Sequence, residues 1–106
     1  MKKVLGQTNP AATTLTDFYV VPFGKEAVSS TLVVCNQGTS ATFRVSVAPG
    51  SAADNASQYI YYDVVIPAQD TMAATIGITL EAGDAVRAWA SGATLSFSLF
   101  GSEVDV

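Results

Sequence analysis

Histidine is absent from this 106-residue chain, cysteine occurs once and only 13% of residues are charged. The charged fraction is about half of the ~25% usual in soluble domains. Without histidine, the side chain that most often moves protons near neutral pH is missing. Catalysis is therefore not expected: pairs such as Thr16 with Asp17 have no general base to complete a nucleophilic triad. Cys35 excludes an internal disulfide, and with no histidine beside it there is no base to make a thiolate. It reads as a small core residue at the end of the apolar run Thr31-Leu32-Val33-Val34-Cys35. No apolar run approaches the ~20 residues of a membrane helix, and the start, Met1-Lys2-Lys3-Val4-Leu5, has no signal-peptide core. The expectation is synthesis in a cytoplasm without export.

Basic residues are as scarce. Only Lys2, Lys3, Lys25, Arg44 and Arg87 occur, against nine acids, for a formal charge of −4 and an isoelectric point near 4.3. Nucleic-acid binding, which depends on clustered cations, is not expected. Nor is a metal or cofactor. Asp54, Asp63, Asp70, Glu81 and Asp84 lack the close oxygen spacing of a calcium loop, and Asp70 and Asp84 suit turns.

What the chain does have is apolar residues, 49% of the total, arranged with a period of two. Phe43, Val45 and Val47 alternate with Thr42, Arg44 and Ser46, and Leu95, Phe97 and Leu99 with Thr94, Ser96 and Ser98, the pattern of strands with one buried face. Further strands are expected at 13–21, 28–35, 59–66, 75–80 and 85–90, with a short one at 4–8. Pro22-Phe23-Gly24-Lys25, Asn36-Gln37-Gly38, residues 49–55, Pro67-Ala68-Gln69-Asp70, Glu81-Ala82-Gly83-Asp84 and Ser91-Gly92 supply the turns. Residues 51–57 are the one place where a helical turn competes with a loop, and Gly50, Asp54 and Asn55 favour the loop. The spacing predicts an all-β fold: one antiparallel β-sandwich of about seven or eight strands, jelly-roll-like, over 11–106, preceded by an N-terminal arm over 1–10. Edge strands are usually guarded by lysine, yet no lysine follows Lys25. So small and apolar a domain is expected to cover its edges with neighbours or its own ends, and to be a homo-oligomer.

Alternation places Tyr59, Tyr61 and Asp63 on one face of the 59–66 run and Ile60, Tyr62, Val64 and Ile66 on the other. Arg87 and Trp89 likewise lie opposite Val86, Ala88 and Ala90. An outward group of Tyr59, Tyr61, Arg87 and Trp89 suits a protein interface, with a glycan-stacking platform as the alternative. At the ends, Lys2 and Lys3 of the arm and Glu103 and Val104 of the tail are candidate contact residues; frayed termini are the plain alternative.

Several ordered segments carry a family resemblance. They are Val4-Leu5-Gly6-Gln7, Ala11-Ala12-Thr13-Thr14-Leu15-Thr16-Asp17-Phe18-Tyr19-Val20-Val21-Pro22, Ser30-Thr31-Leu32-Val33-Val34-Cys35-Asn36 and Thr42-Phe43-Arg44-Val45-Ser46-Val47. Tyr59-Ile60-Tyr61-Tyr62-Asp63, Gly77-Ile78-Thr79-Leu80-Glu81-Ala82-Gly83-Asp84 and Leu95-Ser96-Phe97-Ser98-Leu99-Phe100-Gly101-Ser102-Glu103 continue it over most of the chain. Together they resemble small virion structural proteins of tailed bacteriophages. The resemblance implies a non-enzymatic capsid decoration or cement protein of the virion, often trimeric, that clamps major capsid subunits against the pressure of packaged DNA. A tail, neck or fibre component is the alternative within that family.

Overall fold

The protein's structure, a computed structural model, describes residues 2–105, the side chain of Lys2 excepted. Eight strands follow one another: β1 (Lys2–Thr8), β2 (Thr16–Val20), β3 (Lys25–Asn36), β4 (Ala41–Ala48), β5 (Tyr59–Ile66), β6 (Thr71–Leu80), β7 (Ala85–Ala90) and β8 (Leu95–Asp105). They form two antiparallel four-stranded sheets in the orders β1-β8-β3-β6 and β2-β7-β4-β5. Strand 1 pairs with 8, 2 with 7, 3 with 6 and 4 with 5, so the chain is one long hairpin folded over itself. The β8–β3 and β7–β4 pairings then join its halves within each sheet. This is the jelly-roll sandwich expected from the strand spacing.

Each inner face is the apolar half of an alternating strand. Leu32 and Val34 of β3 and Leu95, Phe97 and Leu99 of β8 meet Phe43 and Val45 of β4 and Val86, Ala88 and Ala90 of β7, all buried. The aromatic centre is a chain of rings across the two sheets: Phe97 lies 6.1 Å from Phe18 and 5.9 Å from Phe43, and Phe43 lies 5.9 Å from Tyr61. Spacings of this size allow tilted and edge-to-face packing.

Three expectations are refined here. The short strand expected at 4–8, inside the segment read as an arm, is β1 over residues 2–8, which pairs along β8 from Lys2↔Ser102 to Thr8↔Phe97, because Leu5 finds the core. Cys35 is half-buried on the outer face of its sheet, in register with Ser96 and Thr71. The inward position at that end belongs instead to Asn36, which is 2% exposed. Its amide nitrogen donates to the carbonyls of Thr39, Ile66 and Pro67, and its Oδ1 accepts from Gly38 N and Thr94 Oγ1, so full hydrogen bonding permits its burial. Thirdly, residues 13–15 precede β2, which begins at Thr16. The 49–58 connection holds two single 3₁₀ turns, Pro49–Ser51 and Ala56–Gln58, the second capped by the Asn55 side chain accepting from Ser57 N.

Candidate functional site

The outer face of the β2-β7-β4-β5 sheet carries a cluster built around Arg44. On β4, Arg44 is in register with Trp89 of β7. On β5 the register with β4 shifts between the Phe43↔Val64 and Val45↔Tyr61 pairs, so that Tyr62 and Asp63 together oppose Arg44. Asp63 has φ of 53°, a left-handed conformation that Asp tolerates better than most residues. This bulge directs both Tyr62 and Asp63 outward. The guanidinium carbon of Arg44 lies 4.2 Å from the Tyr62 ring centroid and 4.0 Å from that of Trp89, and Nε donates to Asp63 Oδ1 at 2.6 Å. Arg44 is thus held between two rings and one carboxylate, and the Asp63 hydrogen bond raises its pKa further.

Tyr59 completes the group, its ring edge-on to Tyr62 at 5.2 Å and 88°. Its hydroxyl donates to Asp54 Oδ2 at 3.1 Å. Burial, and then that carboxylate, pushes the Tyr59 hydroxyl pKa up. Arg44, Asp54, Ala56, Tyr59 and Tyr62 line a cleft of about 540 Å³. One row along, Arg87 donates to Asp17 Oδ1 at 2.7 Å and to the Ser51 carbonyl at 3.4 Å. Both arginines of the chain are therefore tied to carboxylates on this face.

Of the aromatic and basic residues expected to point outward together, Tyr59, Arg87 and Trp89 do share this face. Tyr61 does not. A second register shift in β5, between the Val45↔Tyr61 and Ser46↔Tyr59 pairs, breaks simple alternation, and Tyr61 packs inward against Phe43. Its expected place is taken by Tyr62, which is 59% exposed. The double shift left one trace in the sequence: Asp63, a turn-favouring residue inside an otherwise β-rich run.

The terminal candidates fall elsewhere. Lys3 Nζ donates to Glu103 Oε1 at 2.9 Å, and Tyr19 Oη donates to Glu103 Oε2 at 2.5 Å. The Lys3 hydrogen bond, followed by that of Tyr19, holds the Glu103 carboxyl below its usual range, while burial and then Glu103 push the Tyr19 hydroxyl well above its own. Lys3 and Glu103 are thus partners of each other, tying β1 to β8 and, through Tyr19, to the opposite sheet. Val104 is 49% exposed; the side chain of Lys2 lies outside the described residues.

The outer face of the other sheet is different in kind. Four rows cross it in register: Thr79, Val28, Ser102 and Lys2; Thr75, Thr31, Phe100 and Val4; Ala73, Val33, Ser98 and Gln7; Thr71, Cys35 and Ser96. Among the described side chains these rows hold no charge, and Glu26 opposite Val104 bounds them at one end. The arrangement suits contact with a protein surface. Among the described residues no three His, Cys, Asp or Glu side chains gather to hold a metal ion. Neither a protein-family model nor a curated protein sequence matches the chain.

Proposed function

We propose that this protein is a non-enzymatic structural component of a tailed-bacteriophage virion, a decoration or cement protein that docks on major capsid subunits and clamps them. The observation that carries a docking role is the difference in charge between the outer faces of its two sheets. One outer face holds Asp17, Arg44, Asp63 and Arg87 in ion pairs of 2.6–2.7 Å. The other presents rows without charge among the described side chains, with exposed Val4, Val28 and, beside Glu26, Val104. Interface cores are depleted of charge, and a rigid two-sheet body docks without paying to order itself. The capsid as the partner rests on the resemblance of the ordered segments to small virion proteins.

The glycan-binding alternative is weakened at the Arg44 cluster. Tyr62 and Trp89 each have a ring face against the guanidinium, so those two faces are closed to a stacked sugar.

Mass spectrometry of purified phage particles, counting this chain against the major capsid protein, tests the reading. A ratio near one to one, or one to a few, is the expected outcome. A few tens of copies per particle would move the protein to the tail or neck, and absence from particles would overturn the virion reading.

A further inference from the structure

Strand β6 ends its sheet: β3 pairs along one side, and among the described residues no strand pairs along the other. Such a strand presents unpaired backbone donors and acceptors, and proteins ordinarily guard it with charge, proline or brevity. β6 has none of these guards. It is ten residues long, and Thr71-Met72-Ala73-Ala74-Thr75-Ile76-Gly77-Ile78-Thr79-Leu80 contains no charge and no proline. Its alternation is clean, with Thr71, Ala73, Thr75, Gly77 and Thr79 exposed and Met72, Ala74, Ile76 and Ile78 half-buried.

The order of those residues is a palindrome of side-chain type about Thr75. Reading outward in both directions gives Ala74 and Ile76, then Ala73 and Gly77, then Met72 and Ile78, then Thr71 and Thr79: apolar, small, large apolar, threonine. A two-fold antiparallel pair of identical strands requires this symmetry, since each residue then faces its mirror position in the other copy. With the axis at Thr75, threonines meet threonines on the outer side, small residues meet small ones, and Met72 meets Ile78 on the inner side. Asp70 falls opposite Leu80 and Glu81 opposite Gln69, so no like charges coincide.

Gly77 lies where the β3–β6 register shifts: Ser29 pairs with Ile78 and Thr31 with Thr75, so Ile76 and Gly77 together oppose Ser30. Its φ is not positive, and a Cβ built there meets nothing within 4 Å; glycine inside a strand often marks such an irregularity. The Ile76 carbonyl accepts from Ser29 Oγ and the Ile78 amide donates to it, so both point toward β3.

We infer that β6 is a self-pairing edge: two copies of this chain join antiparallel about a two-fold axis at Thr75, making one continuous eight-stranded sheet. The outer face doubles with it, and the half-exposed Met72, Ile76 and Ile78 gain cover. This dimer stands in place of the trimer implied by the family resemblance, and it forms in the purified chain whether or not that chain belongs to a virion.

Sedimentation of the full chain at about 50 μM should show a dimer. Thr75→Lys and Thr75→Glu, each at an exposed position, should leave circular dichroism and thermal unfolding of the protomer native. Each should weaken association at least about tenfold, because like charges then face each other at the axis. Mixing the two variants should restore the dimer, since only a residue on the axis meets its own copy. A monomeric parent chain, a variant that dimerises as the parent does, or a mixture that stays monomeric would each overturn the inference. If a charge at this position unfolds the strand, Thr75→Cys in a Cys35→Ser chain reads the same axis. A disulfide-linked dimer on mild oxidation supports it, and a chain that stays unlinked overturns it.

Discussion

Gly6 marks where β1 runs against β2. A Cβ added there would lie 2.1 Å from the Phe18 carbonyl oxygen, a backbone atom that cannot swing away as a side-chain tip can. Gly92 meets nothing within 4 Å and has no positive φ. Gly6→Ala should therefore destabilise the fold by about 1–3 kcal/mol, the usual cost of overpacking, while Gly92→Ala should stay within about 0.5 kcal/mol of the parent; urea unfolding of both variants checks the contrast. Composition shows eight glycines but not which of them is spaced against a distant carbonyl. Asn36 was similarly hidden. The turn beginning there was legible, whereas its burial depends on the carbonyls of Ile66 and Pro67, brought near by pairing of remote segments. Tyr61 and Tyr62 exchanged roles because period-two counting carries through a bulge unchanged while the real strand does not.

At the scale of the strand, β8 gathers the charged partners of both chain ends. Besides the Lys3–Glu103–Tyr19 group, Lys25 donates to Asp105 at 2.6 Å. The hydrogen bond from Lys25 lowers the Asp105 pKa, and the Asp105 carboxylate raises that of Lys25. For Glu103 and Asp105 the folded value is depressed, so their stabilisation is present above the ordinary carboxylate range near 4 and is lost as pH falls through the folded values. Tyr19 runs the other way. Its folded value is raised, so its contribution is complete below the ordinary tyrosine value near 10 and declines as pH rises above it. Thermal midpoints measured across pH should fall at both ends. Glu103→Gln should flatten the acid limb and Tyr19→Phe the alkaline one; unchanged limbs would show that these groups do not couple β8 to its neighbours. Placing Glu103 in the tail was possible from sequence, but not its bonding to residues near the other terminus.

For the molecule as a whole, the folded-over hairpin means that the first strand pairs with the last, Lys2 with Ser102, and that only β4 and β5 pair as sequence neighbours joined by a local connection. Loop closure precedes most of the contacts that reward it, so refolding from urea is expected in milliseconds to seconds; stopped-flow tryptophan fluorescence, with Trp89 as its single tryptophan, would show a microsecond phase if local structure led instead. The sequence by itself determined the all-β class, the approximate number of strands and the turns between them, because alternation and turn chemistry are local and survive without knowledge of partners. The scarcity of charge was equally readable. Only the tertiary structure decided which strands neighbour which, that the N-terminal segment pairs along β8, and that both arginines and their carboxylate partners gather on the outer face of one sheet. Pairing order and bulge position depend on residues as many as 100 apart, and no local pattern encodes a distance of that kind.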